Sequence, residues 1–296
     1  MAKRTPPARG KQRASASGIL DALFAAVYAA PDDDAPRAVL ADALQLAGDP
    51  RGELIALQLA PPTTASERRI KTLLRKPAAM CAPAIWKLLS VKSVTFERGF
   101  IARGRLSAHT KTAWQDATGA VEWATVHTLD LGQFAGTGHL DRRRGREIRR
   151  RALSFIHDPA MRHLRRVAIR IDEAAALIEH GVPVPWCDLE ISRGYGGHEQ
   201  RIESLVDGAT VFPAVTHLKL EVSVDGLRTL LDRAAWLRRL SKLTLVGECG
   251  SLADTVRAWG VMVETALPVV VPRETGSGLT QEELDDLFDS QLRGGW

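Results

Sequence analysis

Asparagine is absent from the 296 residues, so the chain offers no N-x-Ser/Thr acceptor for glycosylation. Cysteine is scarce: Cys81, Cys187 and Cys249 stand far apart without C-x-x-C spacing. That pattern argues against a disulfide framework and a zinc knuckle, and for a reducing, cytoplasmic compartment. Long apolar runs are also missing. The run from Gly18 to Ala30 after a basic start superficially resembles a signal peptide, but Asp21 interrupts it. Ile19, Leu20, Leu23, Phe24 and Val27 share one helical face, so the segment reads as a first structural helix. Nothing later has the length and apolarity of a membrane span, and no membrane partner is expected.

Acidic residues are missing from the first seventeen positions, which carry Lys3, Arg4, Arg9, Lys11 and Arg13. The formal charge of +5 resides there, leaving 35 of the 40 basic residues to face 35 acidic ones. Arginine greatly outnumbers lysine, which reflects biased codon usage at least as much as phosphate binding. Residues 1–17, poor in large apolar groups, read as a disordered basic tail. The length suffices for a substantial core, as one large domain, two modest ones or a repeat array with a cap.

What is present begins with order in the segment Asp32 to Gln58, DDDAPRAVLADALQLAGDPRGELIALQ. Asp33 or Asp34 can cap a helix whose first turn holds Pro36, with Val39, Leu40, Ala43, Leu44 and Ala47 on one side and Gly48 at its end. Asp49-Pro50 repeats that start, and Pro61-Pro62 stops the helix that follows. Three short helices are therefore expected over 18–82. Arg37, Asp42, Arg51 and Glu53 read as capping and pairing groups rather than as a catalytic carboxylate pair, because no metal or nucleophile motif accompanies them. The run Asp32-Asp33-Asp34, Pro36-Arg37, Val39, Ala41-Asp42, Leu44, Gly48 to Glu53, Ile55 and Leu57-Gln58 resembles the helical repeat-companion leader found ahead of irregular leucine-rich-type repeats in large bacterial families. That family usually has Tyr and Trp where this chain has Leu40 and Ala43. The resemblance implies an architecture and names no biochemical activity.

A second pattern starts beyond Pro83: apolar, two variable, apolar, one variable, apolar. It occurs at Val91-Val94-Phe96, Val126-Leu129-Leu131, Leu164-Val167-Ile169, Val215-Leu218-Leu220 and Leu240-Leu243-Leu245, with a shortened copy at Leu189-Ile191 after Trp186. The middle residues are separated by 35, 38, 22, 29 and 25 positions. Such a core suits a short strand whose alternate side chains enter a stacked interior. Helical spacing recurs between the cores, at 148–156, 174–178, 202–206 and 227–236. The Asn or Cys of regular leucine-rich repeats is replaced by Gly99, Phe134, Asp172, Gly194, Ser223 and Glu248, so the hydrogen-bonded ladder of regular repeats is not expected. The fold expected is an α/β irregular leucine-rich-repeat-like solenoid over 83–271, with parallel strands, outer helices and an N-terminal helical leader cap. Phe96 to Ile101, followed by Arg103 to Leu106, reads as a β-hairpin joining leader and array.

Three motifs invite chemistry. Arg142, Arg143, Arg144, Arg146, Arg149, Arg150, Arg151, Arg162, Arg165, Arg166 and Arg170 could contact phosphates, but no aromatics are interleaved and Asp141, Glu147 and Asp158 lie among them. Nucleic acid through Arg142–Arg151 is thus a secondary reading. Arg193-Gly194-Tyr195-Gly196-Gly197-His198 lacks the spacing of a nucleotide loop and reads as a repeat turn. His157 and His163 are not at metal-helix spacing, and Cys187 reads as a small strand residue. No catalytic, metal or cofactor residue is assigned.

After a linker over 272–278, residues 279–296 read as an acidic amphipathic helix and tail. Thr280 and Glu283 form a capping box, and Leu284, Leu287, Phe288 and Leu292 an apolar stripe. The ending Leu-Arg-Gly-Gly-Trp296 could be a protease or partner recognition element. The reading is a non-enzymatic protein-interaction scaffold or adaptor whose partner is another protein. Its candidate contacts are Thr95, Asp130, Arg170, Glu190, Lys219 and Thr244 between the inward residues, with Leu284, Leu287, Phe288 and Trp296 at the end. Competing readings are an enzyme with a site assembled only by the fold and a regulatory protein captured or cut through its tail.

Overall fold

The computed structural model describes residues 9–75, 83–107, 111–131, 155–192, 202–247 and 250–266. Four helices open it: α1 (Arg9–Ala29), α2 (Asp34–Leu46), α3 (Pro50–Leu59) and α4 (Thr64–Leu73). Three were expected. Helix α1 starts at Arg9, inside the stretch read as a disordered tail, because Arg, Lys, Gln and Ala are strong helix formers even where apolar residues are few. Helix α4 follows the Pro61-Pro62 break, started by a reciprocal Thr63–Ser66 capping box that a sparse apolar pattern does not reveal.

Asp33 and Asp49 cap α2 and α3 as their positions suggest, accepting from the Ala35 and Arg51 backbone N–H at 2.9 and 2.8 Å. The buried face of α2 is Arg37, Leu40, Ala41 and Leu44, packed with Val27, Ile55 and Phe100. Val39 is 56% exposed, so the apolar line through Val39, Ala43 and Ala47 is displaced around the helix from the true contact. Asp42 is exposed and has no ion pair among the described residues, whereas Glu53 does bind Arg69 through both carboxylate oxygens at 2.6 Å.

The hairpin forms as its sequence suggests. Strands β1 (Thr95–Glu97) and β2 (Phe100–Arg105) are antiparallel, joined through Arg98 and Gly99 at φ of 52° and 78°, the left-handed pair that a two-residue turn requires. Gln58 clamps the turn to the leader: its Nε2 donates to Phe96 O at 2.9 Å and its Oε1 accepts from Gly99 N at 2.7 Å. Arg51 adds a third tie, donating to Gly99 O at 3.1 Å while stacking over Phe100, 4.2 Å from the ring centroid. Replacing Gln58 by Leu leaves a backbone donor and a backbone acceptor unpaired, so we expect a loss of about 1–2 kcal/mol in denaturant unfolding. Loss of less than ~0.5 kcal/mol would mean water satisfies both groups at no cost.

From β2 onward the sheet is parallel. Strands β3 (Thr128–Asp130), β4 (Arg166–Arg170), β5 (Asp188–Ser192), β6 (His217–Glu221), β7 (Lys242–Val246) and β8 (Met262–Ala266) add in sequence order. The eight-stranded sheet is open. The order never reverses, so these strands create no switch point of the kind where doubly wound sheets bind ligands. Leu129, Val167, Leu189, Leu218, Leu243 and Val263 stand in one register row, and the first five are at most 2% exposed. Leu131, Ile169, Ile191, Leu220 and Leu245 are all buried beyond it. Helices α7 (Ile171–His180) and α8 (Val224–Arg233) lie between strands and bury Leu177 and Leu227 in that core. Short helices α5 (Pro83–Trp86) and α6 (Lys111–Ala117) precede them, and α9 (Gly250–Arg257) follows.

One repeat copy is displaced. Val91-Val94-Phe96 forms a 3-10 turn and the antiparallel edge strand, with Val91 56% exposed, and the partner of Leu129 is Gly104 of β2. The hairpin reverses the chain, so the strand that starts the parallel rows is its second arm. Gly104 leaves room for Leu89, whose Cδ2 lies 2.8 Å from where a Cβ would stand.

Candidate functional site

Alternation within each strand turns one set of side chains into the core and the other outward. Two outward rows result. One is Arg103, Thr128, Arg166, Asp188, His217, Lys242 and Met262; the other is Arg105, Asp130, Ala168, Glu190, Lys219, Thr244 and Glu264. The sequence-predicted Asp130, Glu190, Lys219 and Thr244 fall together in the second row, each partly or fully exposed. Thr95 is exposed on the antiparallel edge and outside the row.

Arg170 does not belong to this surface. It is only 4% exposed, because the chain turns from β4 straight into α7 and covers it. Its backbone N–H donates to Glu173 Oε2 at 2.7 Å, and its guanidinium lies 3.8 Å from Asp172. Ala168 takes the row position instead. Leu284, Leu287, Phe288 and Trp296, Arg142 to Arg151, the 193–198 turn, Cys81 and Cys249 lie outside the described residues.

Opposite charges on the rows pair across neighbouring strands. Arg105 meets Asp130 at 2.6 Å, Arg166 meets Asp188 at 2.7 Å, and Asp188 also approaches His217 at 3.3 Å. Lys219 binds Glu190 at 2.6 Å and Lys242 binds Glu264 at 2.8 Å. At the edge, Glu97 receives Arg103 and His127 at 3.0 and 3.1 Å. Burial acts to raise the Glu97 pKa, but the His127 hydrogen bond and the neighbouring Arg103 outweigh it and hold the carboxyl below its ordinary value. Exposed pairs of this kind contribute about 0–1 kcal/mol each, so exchanging them for a partner's charges costs little. A shallow groove of about 260 Å³ runs between Arg166, Asp188, His217, Glu190, Lys219 and Lys242.

The first row escaped the sequence reading, although its signal was visible. Arg166, Asp188, His217 and Lys242 each precede the middle inward residue, and that position is polar in every one of those cores.

A larger cleft of about 870 Å³ lies between α1 and the 3-10 turns Val121–Thr125 and Pro159–Met161, with Phe24, Ala25, Tyr28 and Val121 among its walls. Two of its polar groups are occupied structurally: Asp158 accepts from Ala160 N and Gly119 N at 2.9 and 2.7 Å, and Arg51 holds the hairpin. Among the described residues, no group of three or more His, Cys, Asp or Glu could hold a metal ion, and no helix is long and apolar enough to cross a membrane. Cys187 is partly exposed, its thiol directed to Arg165 O at 3.5 Å. The described members of the arginine cluster are engaged within the chain: Arg162 reaches Tyr28 O and Ala29 O, and Arg165 pairs with Asp32 at 2.7 Å.

Compared with known protein families, with curated proteins and with solved structures, the chain matches none of them. The geometry alone carries the functional reading.

Proposed function

We propose that the chain is a non-catalytic protein-recognition scaffold, an irregular leucine-rich-repeat-like solenoid behind a helical leader, and that it binds another protein through its outward strand rows. One observation carries this reading: six consecutive parallel strands hold Asp130, Ala168, Glu190, Lys219, Thr244 and Glu264 in unbroken register above an apolar row that is buried in the first five of them. Stacked units of this kind give a broad surface whose geometry the core fixes. The outward charges are both positive and negative, which favours a polar protein surface of mixed charge over a polyanion. The leader-like motif supports the same architecture, since Gln58, Arg51 and Gly99 lock the helices to the first hairpin.

The test is quantitative recovery of partners with the full-length protein from its native cell. Three forms are compared: wild type, a Glu190→Arg/Thr244→Arg double variant, and a chain ended after Gly276. A partner lost from the double variant and kept by the shortened chain is the expected result. A partner lost only on shortening would transfer recognition to the 279–296 segment and defeat the strand-face reading. So would binding that is indifferent to both changes.

A further inference from the structure

A separate pocket of about 230 Å³ lies where the leader meets β1, β2 and the turns before β3 and β4. Arg37, Arg98, Arg165, His127 and His163 contribute to its wall, against the carboxylates Asp32 and Glu97. Those two acids already have partners, Asp32 in Arg165 at 2.7 Å and Glu97 in Arg103 and His127. Arg98 is paired outside the pocket wall, with Asp34 at 3.0 Å.

Arg37 has no such partner. Its side chain is buried, with the residue 2% exposed, and its one hydrogen bond among the described residues runs from Nη1 to the Asp33 carbonyl at 2.9 Å. Its Nε is fully enclosed and has no acceptor. Phe100 covers the guanidinium at 5.4 Å from the ring centroid, which accounts for its packing, and no carboxylate pairs with it directly among the described residues. Burial first, then the neighbouring Arg98 charge, lower its pKa to about 10, and Asp34, Asp32 and Asp33 offset this only in part. At neutral pH the group is still a cation. A buried charge without a directly paired counter-charge is costly, and a fold that places one on a pocket wall beside two more guanidiniums and two imidazoles is set up to be completed by an anion.

We propose that this junction pocket binds a phosphate group, with Arg37 as its buried anchor and Arg98, Arg165 and His163 as surrounding donors. The site is independent of the outward strand rows. A tetrahedral oxyanion suits it better than a planar carboxylate because the donors come from separate elements: helix α2, the hairpin turn and the segment leading into β4. His163 Nε2 accepts from Arg162 Nε at 3.0 Å, so its other ring nitrogen carries the hydrogen and is a donor. The volume accommodates more than inorganic phosphate alone, which points to a phosphomonoester of a small molecule.

The experiment is titration calorimetry of the full-length protein with inorganic phosphate, then with glycerol phosphate, against acetate and chloride at matched ionic strength. Arg37→Met keeps the length of the stem and its contact with Phe100, and circular dichroism establishes that it folds. Arg105→Gln, on the outward row, is the control. We expect saturable phosphate binding by wild type and Arg105→Gln, weakened about tenfold or more in Arg37→Met, as loss of a charge-assisted donor predicts. Tighter binding of glycerol phosphate than of phosphate identifies the small-molecule ester as the source, and equal binding identifies the free ion. Acetate binding as tightly as phosphate, unchanged affinity in a folded Arg37→Met, or no binding beyond that of chloride would each overturn the proposal.

Discussion

Trp123→Ala should lower the unfolding free energy by about 3–5 kcal/mol, the range for removing a large buried aromatic. Trp123 is 0% exposed in the 3-10 turn before β3. Its ring meets Phe155 edge-on, with centroids 4.9 Å apart, and Phe155 in turn meets Trp114 at 5.2 Å. The indole N–H donates to Ala117 O at 2.8 Å, so the side chain ties the end of α6 to the first parallel unit. For a domain of this size, the loss corresponds to a fall in melting temperature on the order of 10 °C. Trp123→Phe separates the contributions: it retains most of the apolar surface but removes the indole donor from Ala117 O, which keeps the Ala120 N–H at 3.2 Å, and should cost only about 1–2 kcal/mol. If thermal and denaturant unfolding place Trp123→Ala within ~1 kcal/mol of wild type, the aromatic layer is not packed as described.

Gly52→Ala should destabilise by about 3 kcal/mol even though Ala is the better helix former by about 1 kcal/mol. A Cβ at position 52 would stand 2.6 Å from Ala41 O, 2.7 Å from Gln45 N and 2.9 Å from Leu44 Cβ. Two of these atoms are backbone, so α2 as a whole must retreat from α3, and the leader core around Leu40, Ile55 and Phe100 opens with it. Gly18→Ala is the matched comparison, since a Cβ on that α1 residue meets nothing within 4 Å. It should be neutral or stabilising by up to about 1 kcal/mol. Both variants moving in the same direction in urea unfolding would show that steric contact does not decide the sign at position 52.

Much of this architecture was legible because it depends on local periodicity. The five inward cores from Val126 to Leu245 appear as parallel strands in mutual register, and Asp33, Asp49 and Gly48 perform the capping roles that their positions suggest. The failures have physical causes of a different range. Val91-Val94-Phe96 has the repeat spelling, but a tight hairpin immediately after it assigns it to the antiparallel edge. Strand β8 has few large apolar residues, because a terminal strand of the described sheet buries less; Met262 is 61% exposed. Arg170 follows the alternation that predicts exposure, yet a helix begins one residue later and covers it. The Arg37 pocket is assembled from residues as distant as Arg37 and Arg165, and no spacing rule connects them.

Strand order also governs how such a chain can be built. Every parallel pairing joins segments adjacent in sequence, with middle residues no more than 38 positions apart. Loop closure between such neighbours carries a modest entropic cost, and no pairing waits for a distant part of the chain. The clamped hairpin presents the edge of β2 as a template, and each strand laid on it creates the edge for the next. A ribosome delivering the chain from its N-terminus supplies these segments in the order in which the sheet can grow, so synthesis and assembly run in the same direction.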